Sequence, residues 1–177
     1  MEQSSASDPK RTLLKRWQRN CLRSSIGNYD AASMLKRRNY QLGVPAVFLT
    51  SIVGTSVFAT LGTKVETYIQ IIVGIISVLA AVLGALQTFL KWGELSSKHQ
   101  AAAAEFNALK RYIDQILACH AAGDPIQDTQ IDYVRTQMDM LARDTPELPN
   151  SIWIAARKKI PTEQERNLLN ESAGRSA

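Results

Sequence analysis

Two long stretches of this 177-residue chain carry no ionisable side chain, and only six residues separate them. The first runs from Leu42 to Leu61 and the second from Tyr68 to Leu90; neither holds an Asp, Glu, Lys, Arg or His. A helix rises about 1.5 Å per residue and a bilayer core is roughly 30 Å thick, so each stretch can span one. The connector, Gly62-Thr63-Lys64-Val65-Glu66-Thr67, leaves room for a tight turn only. The expected arrangement is a helical hairpin with both chain ends on the same side of a membrane. A helix in a soluble core would carry charge on its outer face, and neither stretch does. Position argues against a cleaved signal peptide, because 41 mostly polar residues come first.

Charge assigns the sides. Residues 1–41 hold nine Lys/Arg against three Asp/Glu, residues 91–177 hold eleven against twelve, and the connector holds one of each. Basic residues close to a span mark the cytoplasmic side. Lys36, Arg37 and Arg38 precede the first stretch, and Lys91 and Lys98 follow the second. Both termini are therefore expected in the cytoplasm. The same cluster points to lipid headgroups, not to nucleic acid, because it abuts a span. Cys21 and Cys119 fall in the cytoplasmic parts, where disulfides are rare. They have no metal spacing with His99 or His120 and read as ordinary thiols.

Along the chain, residues 1–9 are Ser-rich and expected to be disordered. From Lys10 to about Arg23 the apolar residues Leu13, Leu14, Trp17 and Cys21 share one helical face opposite Arg and Lys. That suits either a membrane-surface helix or one docked on another cytoplasmic helix. Ser24-Ser25-Ile26-Gly27-Asn28 is expected to break it, and Tyr29 to Gln41 to form a second helix leading into the first span. This gives cytoplasmic N-terminal helices over 10–41, a transmembrane hairpin over 42–90 (42–61 and 68–90, turn 62–67), a cytoplasmic helical region over 91–160 and a flexible tail over 161–177.

The second span is expected to continue into a long cytoplasmic helix, since no Pro lies between Tyr68 and His120. One stripe at alternating steps of three and four reads Trp92, Leu95, His99, Ala102, Phe106, Leu109, Ile113 and Ile116. Extended backwards it gives Thr88, Ala85, Ala81, Val78 and Gly74. This is a sustained heptad pattern. It is large and apolar where water is the solvent, and small where lipid is, which lets backbones approach closely. An uninterrupted helix here would be about 75 Å long. The stripe serves either the chain's own N-terminal helices and first span or a seam between copies, with Trp92, Leu95, His99, Phe106, Leu109 and Ile113 as the seam candidates. Further helices are expected over Asp128–Ala142 and from a Ser151 cap to Lys159. The fold class is an all-α membrane protein, a two-helix transmembrane hairpin under a cytoplasmic helical collar.

No catalytic constellation is visible. The chain has no Gly-rich phosphate loop, no GxSxG, no HExxH and no Cys/His cluster, so neither an enzyme nor a bound cofactor or metal is expected. His99 reads as a core histidine on the seam, and His120 as a helix C-terminal residue suited to the dipole. Inside the spans only hydroxyls and amides break the apolar character. Thr50, Ser51, Thr55, Ser77, Ala81, Ala85 and Thr88 are the candidates for helix packing or a pore wall. The absence of intramembrane charge argues against a transporter, proton pump or voltage sensor.

Several local patterns occur in a particular order. A basic N-terminal helix carries Trp17. Tyr29 and Ala32 precede Arg38-Asn39-Tyr40 and the Gly43-Val44-Pro45 approach to the first span. Phe89 closes the second, and Lys98-His99, Ala102, Phe106 and Leu109 continue the helix. The Pro146-Glu147-Leu148-Pro149 loop comes before Trp153 and Ala156. Over roughly residues 12–160 this set resembles the SLATT family, two-span prokaryotic effectors associated with SMODS nucleotidyltransferases and SLOG proteins. The resemblance implies a homo-oligomeric effector of the inner membrane in antiphage defence, which breaches the membrane when a cyclic oligonucleotide or a sensor protein signals infection. A membrane-anchored scaffold that recruits a soluble partner without conducting is the alternative.

Overall fold

The computed structural model describes residues 9–59 and 66–161. The N-terminal segment 1–8, residues 60–65 with most of the expected turn, and the tail from Thr162 lie outside the described residues. Within them the chain is all-helical, with no strand. The elements are α1 (Pro9–Ala59), α2 (Thr67–Leu90), α3 (Trp92–Ala121), α4 (Asp128–Asp144) and α5 (Asn150–Lys159). The chain divides into two compact units, Met1–Ala32 with Lys98–Ala177, and Ser33–Ser97.

The first unit has a core of Leu14 and Cys21 from α1, Phe106, Leu109, Ile113 and Ile116 from α3, Ile126 from the connection, and Val134 and Leu141 from α4. The amphipathic N-terminal helix is thus docked on other helices: Leu14 and Cys21 are fully buried and Trp17 packs against the cluster. Burying each Leu or Ile contributes roughly 1.5–3 kcal/mol, which makes this stripe the main source of the unit's stability.

The expected break at Ser24–Asn28 does not occur. Three residues that favour turns find partners here that favour the helix. The Ser25 hydroxyl donates to the Ala103 carbonyl of α3 at 2.9 Å, and the Asn28 amide donates to the Ser24 carbonyl one turn back at 2.9 Å. Gly27 is buried, and a Cβ there would stand 3.2 Å from Leu148 Cδ1 and 3.7 Å from the Ala156 Cβ of α5. This glycine therefore serves close approach, not a turn. Arg23 fixes the end of α5 by a two-pronged donation to the Ile160 carbonyl at 2.8 and 2.6 Å, while Lys159 pairs with Asp30 at 2.7 Å. α5 starts at Asn150 behind Pro149, so Ser151 lies inside its first turn and is not its cap.

α3 ends in a Schellman turn. The Gly123 N–H reaches the His120 carbonyl at 3.1 Å and the Asp124 N–H the Cys119 carbonyl at 3.2 Å. Gly123 supplies the left-handed conformation, φ 113°, that this turn requires. α4 matches the helix expected from Ile131, Val134, Met138 and Leu141, and starts at the expected Asp128.

In the second unit, α2 covers the second apolar stretch. The helix does not run on without interruption: Lys91 adopts a left-handed conformation, φ 46° and ψ 31°, before α3 resumes at Trp92. For a residue with a Cβ this costs about 1–2 kcal/mol. Around it, the Arg38 guanidinium lies 6.0 Å from the centre of the Trp92 ring, and Gly93 faces the Asn39 amide. Among the described residues, Thr67–Ala121 is the one stretch long and apolar enough to qualify as a span, and only 6% of its apolar window is buried. Ile71, Ile75, Val78, Leu79, Val82 and Phe89 are all exposed. A soluble core helix would be mostly buried, so this surface calls for lipid.

Candidate functional site

The first unit holds a buried polar node. His99, 2% exposed, and Asn28, 1% exposed, meet at 2.7 Å between His99 Nδ1 and Asn28 Oδ1. The Asn28 Nδ2 is committed to the Ser24 carbonyl, so its oxygen faces the ring and His99 Nδ1 is the donor. Burial pushes the His99 pKa below the ordinary histidine value. This is a satisfied core histidine, as its seam position suggested, but its partner is the chain's own α1.

That node sets a pH dependence. The unfolded imidazole titrates near pH 6.5 and the folded one lower, so on acidification the unfolded state takes up its proton first. The His99 contribution is complete above about pH 6.5 and is lost progressively as pH falls from there through the folded pKa. Thermal melts of the full chain should therefore show a lower midpoint at pH 5.5 than at pH 7.5. His99→Gln, which keeps a donor for Asn28, should flatten that difference; an unchanged pH slope would mean that another group carries it.

The buried thiol offers no reactive centre. Burial pushes the Cys21 pKa up to about 11, against a smaller opposing pull from its backbone hydrogen bond. Cys119 is exposed and unpaired with Cys21. Among the described residues no group of three or more His, Cys, Asp or Glu is arranged to hold a metal.

The other seam candidates divide. Phe106, Leu109 and Ile113 lie in the same core cluster as Leu14 and Val134, and with His99 they are buried within the single chain. Trp92 and Leu95 are half-buried in the second unit. A heptad stripe reports that something covers it, not which chain does.

In the second unit the packing or pore candidates lie largely on the outside. Thr50, Ser51, Thr55, Ala81, Ala85 and Thr88 are exposed and Ser77 is half-buried. Their hydroxyls are satisfied within their own helices. Thr50 donates to Ala46, Ser51 to Val47, Thr55 to Ser51, Ser77 to Val73 and Thr88 to Gly84, each at 2.7–3.0 Å. Such back-bonding removes the cost of placing a hydroxyl against hydrocarbon. The buried small residues are different ones, Gly43 and Ala46 of α1 and Ala80 of α2. A Cβ on Gly43 would come within 2.8 Å of the Gln87 amide nitrogen, so α1 and α2 meet at Gly43 and Gln87. The neighbouring stripe of Gly74, Val78, Ala81, Ala85 and Thr88 stays exposed on α2.

Lys36, Arg37 and Arg38 are exposed on α1. The Asn28 partner of His99 was missed because the N-terminal helix was expected to stop before it. Continuing the Leu14, Trp17, Cys21 spacing through Ser25 to Asn28 would have placed both polar residues on the buried face.

The model of one protein family, described as SMODS and SLOG-associating 2TM effector domain family 4, matches residues 27–152. The match is narrower than the 12–160 expected, leaving Trp17, Trp153 and Ala156 outside it. No curated protein and no solved structure matches the chain.

Proposed function

The chain belongs to the SMODS and SLOG-associating 2TM effector (SLATT) family, and from that premise we propose that it is an oligomeric, signal-gated pore of the prokaryotic inner membrane. Membership makes it a membrane effector of conflict systems. The finer reading takes 42–61 and 68–90 as two spans, with residues 10–41 and 91–160 in the cytoplasm. The observation that carries it is the exposed apolar surface of α2 together with the stripe Gly74, Val78, Ala81, Ala85 and Thr88, which stays exposed among the described residues. Small residues in lipid allow helices of separate copies to approach closely. A pore assembled this way from this chain would be lined by Thr, Ser and apolar side chains, with no charged ring to select among ions. The gate acts through the helices of the first unit, whose two arrangements a cyclic oligonucleotide or a sensor protein would bias.

Expression in bacteria tests this against the scaffold alternative. A pore predicts growth arrest with loss of membrane potential on triggering, and loss of both when residues 42–90 are exchanged for an unrelated two-span hairpin. Growth arrest that survives the exchange would reject the pore and support a scaffold.

A further inference from the structure

In the second unit a groove runs along α1 beside α2, lined by Asn39, Tyr40, Val44, Val47 and Ser51, with Gln87 on its other wall. It encloses about 490 Å³. Asn39 to Ser51 spans about 18 Å of helix. The groove is long enough for an extended acyl chain to lie along it.

The chemistry changes along its length. Arg37, Tyr40, Val44, Val47 and Ser51 recur at three- and four-residue steps, so a cation, a phenol and then apolar groups follow one another on a single face. At the polar end Gly93 stands against Asn39, and Arg38 covers Trp92. This brings the Lys91–Gly93 junction to the mouth. Lys36, Arg37 and Lys91, next to it in the chain, are exposed and form no ion pair among the described residues. The Gln87 amide, on the groove wall, has no hydrogen-bond partner among the described residues.

We propose that the groove binds one anionic phospholipid, an acyl chain lying along Val44 and Val47, ester oxygens meeting Gln87 and Tyr40, and the phosphate held by Arg37 and Lys91. Basic pockets between helices at the cytoplasmic face suit anionic headgroups. The proposal rests on the two-span reading above, which sets this end of the groove at the headgroups.

Native mass spectrometry of the full chain, released from vesicles of mixed phosphatidylglycerol and phosphatidylcholine, tests it. The wild type should retain phosphatidylglycerol preferentially. Arg37→Gln with Lys91→Gln should lower that retention about tenfold or more. Val47→Trp, which fills the groove from an exposed position, should abolish it with the cations intact. Equal retention of both lipids, or undiminished retention in these variants, would overturn the proposal. So would disulfide-linked dimers of Ser51→Cys in membranes, which would put a second copy in the groove. Carbonate extraction of the wild type separates the two failures: a chain that washes out refutes the spans and the groove together, whereas an embedded chain without lipid preference refutes the groove alone.

Discussion

Replacing Ala81 and Ala85 together by Leu should abolish membrane leakage while leaving insertion intact. Both residues are exposed on α2, in register with Gly74, where a Cβ would meet nothing within 4 Å. Among the described residues both positions are open to larger side chains, and Leu inserts into a bilayer core more favourably than Ala. Between copies the consequence reverses. Close approach needs small residues, and overpacking costs about 1–3 kcal/mol at each site. Two sites per interface, repeated around an oligomer, should reduce association by two orders of magnitude or more. Dye leakage and in-membrane crosslinking read this together. Unchanged leakage with unchanged assembly would remove this face from the oligomer.

Ile113→Asp has the largest expected effect on folding. Ile113 is fully buried, in one cluster with Leu14, Phe106 and Val134. The substitution removes its apolar contacts and places a carboxylate in a cluster that holds no cation to pair with it. The loss should exceed about 4 kcal/mol, enough to abolish cooperative unfolding of the first unit. Ile113→Val, which removes one methylene group, should cost only about 0.5–1.5 kcal/mol. A thermal melt followed by tryptophan fluorescence checks both, since Trp17 packs against this core. The result also separates the two uses of the stripe. If Ile113 faced another copy, the Asp variant would keep its melting transition and lose only association.

Much of this was legible because lipid and water leave different marks. The charge-free runs, the α3 stripe and the α4 stripe each followed from periodicity that a single solvent boundary imposes. What was hidden depended on partners distant in the chain. Ser24–Asn28 looks like a turn until the Ala103 carbonyl and the side chains of Leu148 and Ala156 are beside it. Lys91 in a left-handed conformation has no local marker, since a glycine would be expected there and Gly93 lies two residues on. The stripe from His99 to Ile116 announced a buried seam but not its owner. For the small residues, periodicity gave the face containing Ala81 and Ala85, while Gly43 against Gln87 needed both helices in place.

The most direct test of the proposed pore is ion and dye release from liposomes containing the purified full chain, with and without a panel of cyclic oligonucleotides. One of these signals should trigger release, and the Ala81→Leu, Ala85→Leu variant should lack it. Silence with every signal, and with the addition of the partner sensor, from a chain shown to be inserted would contradict the proposed pore.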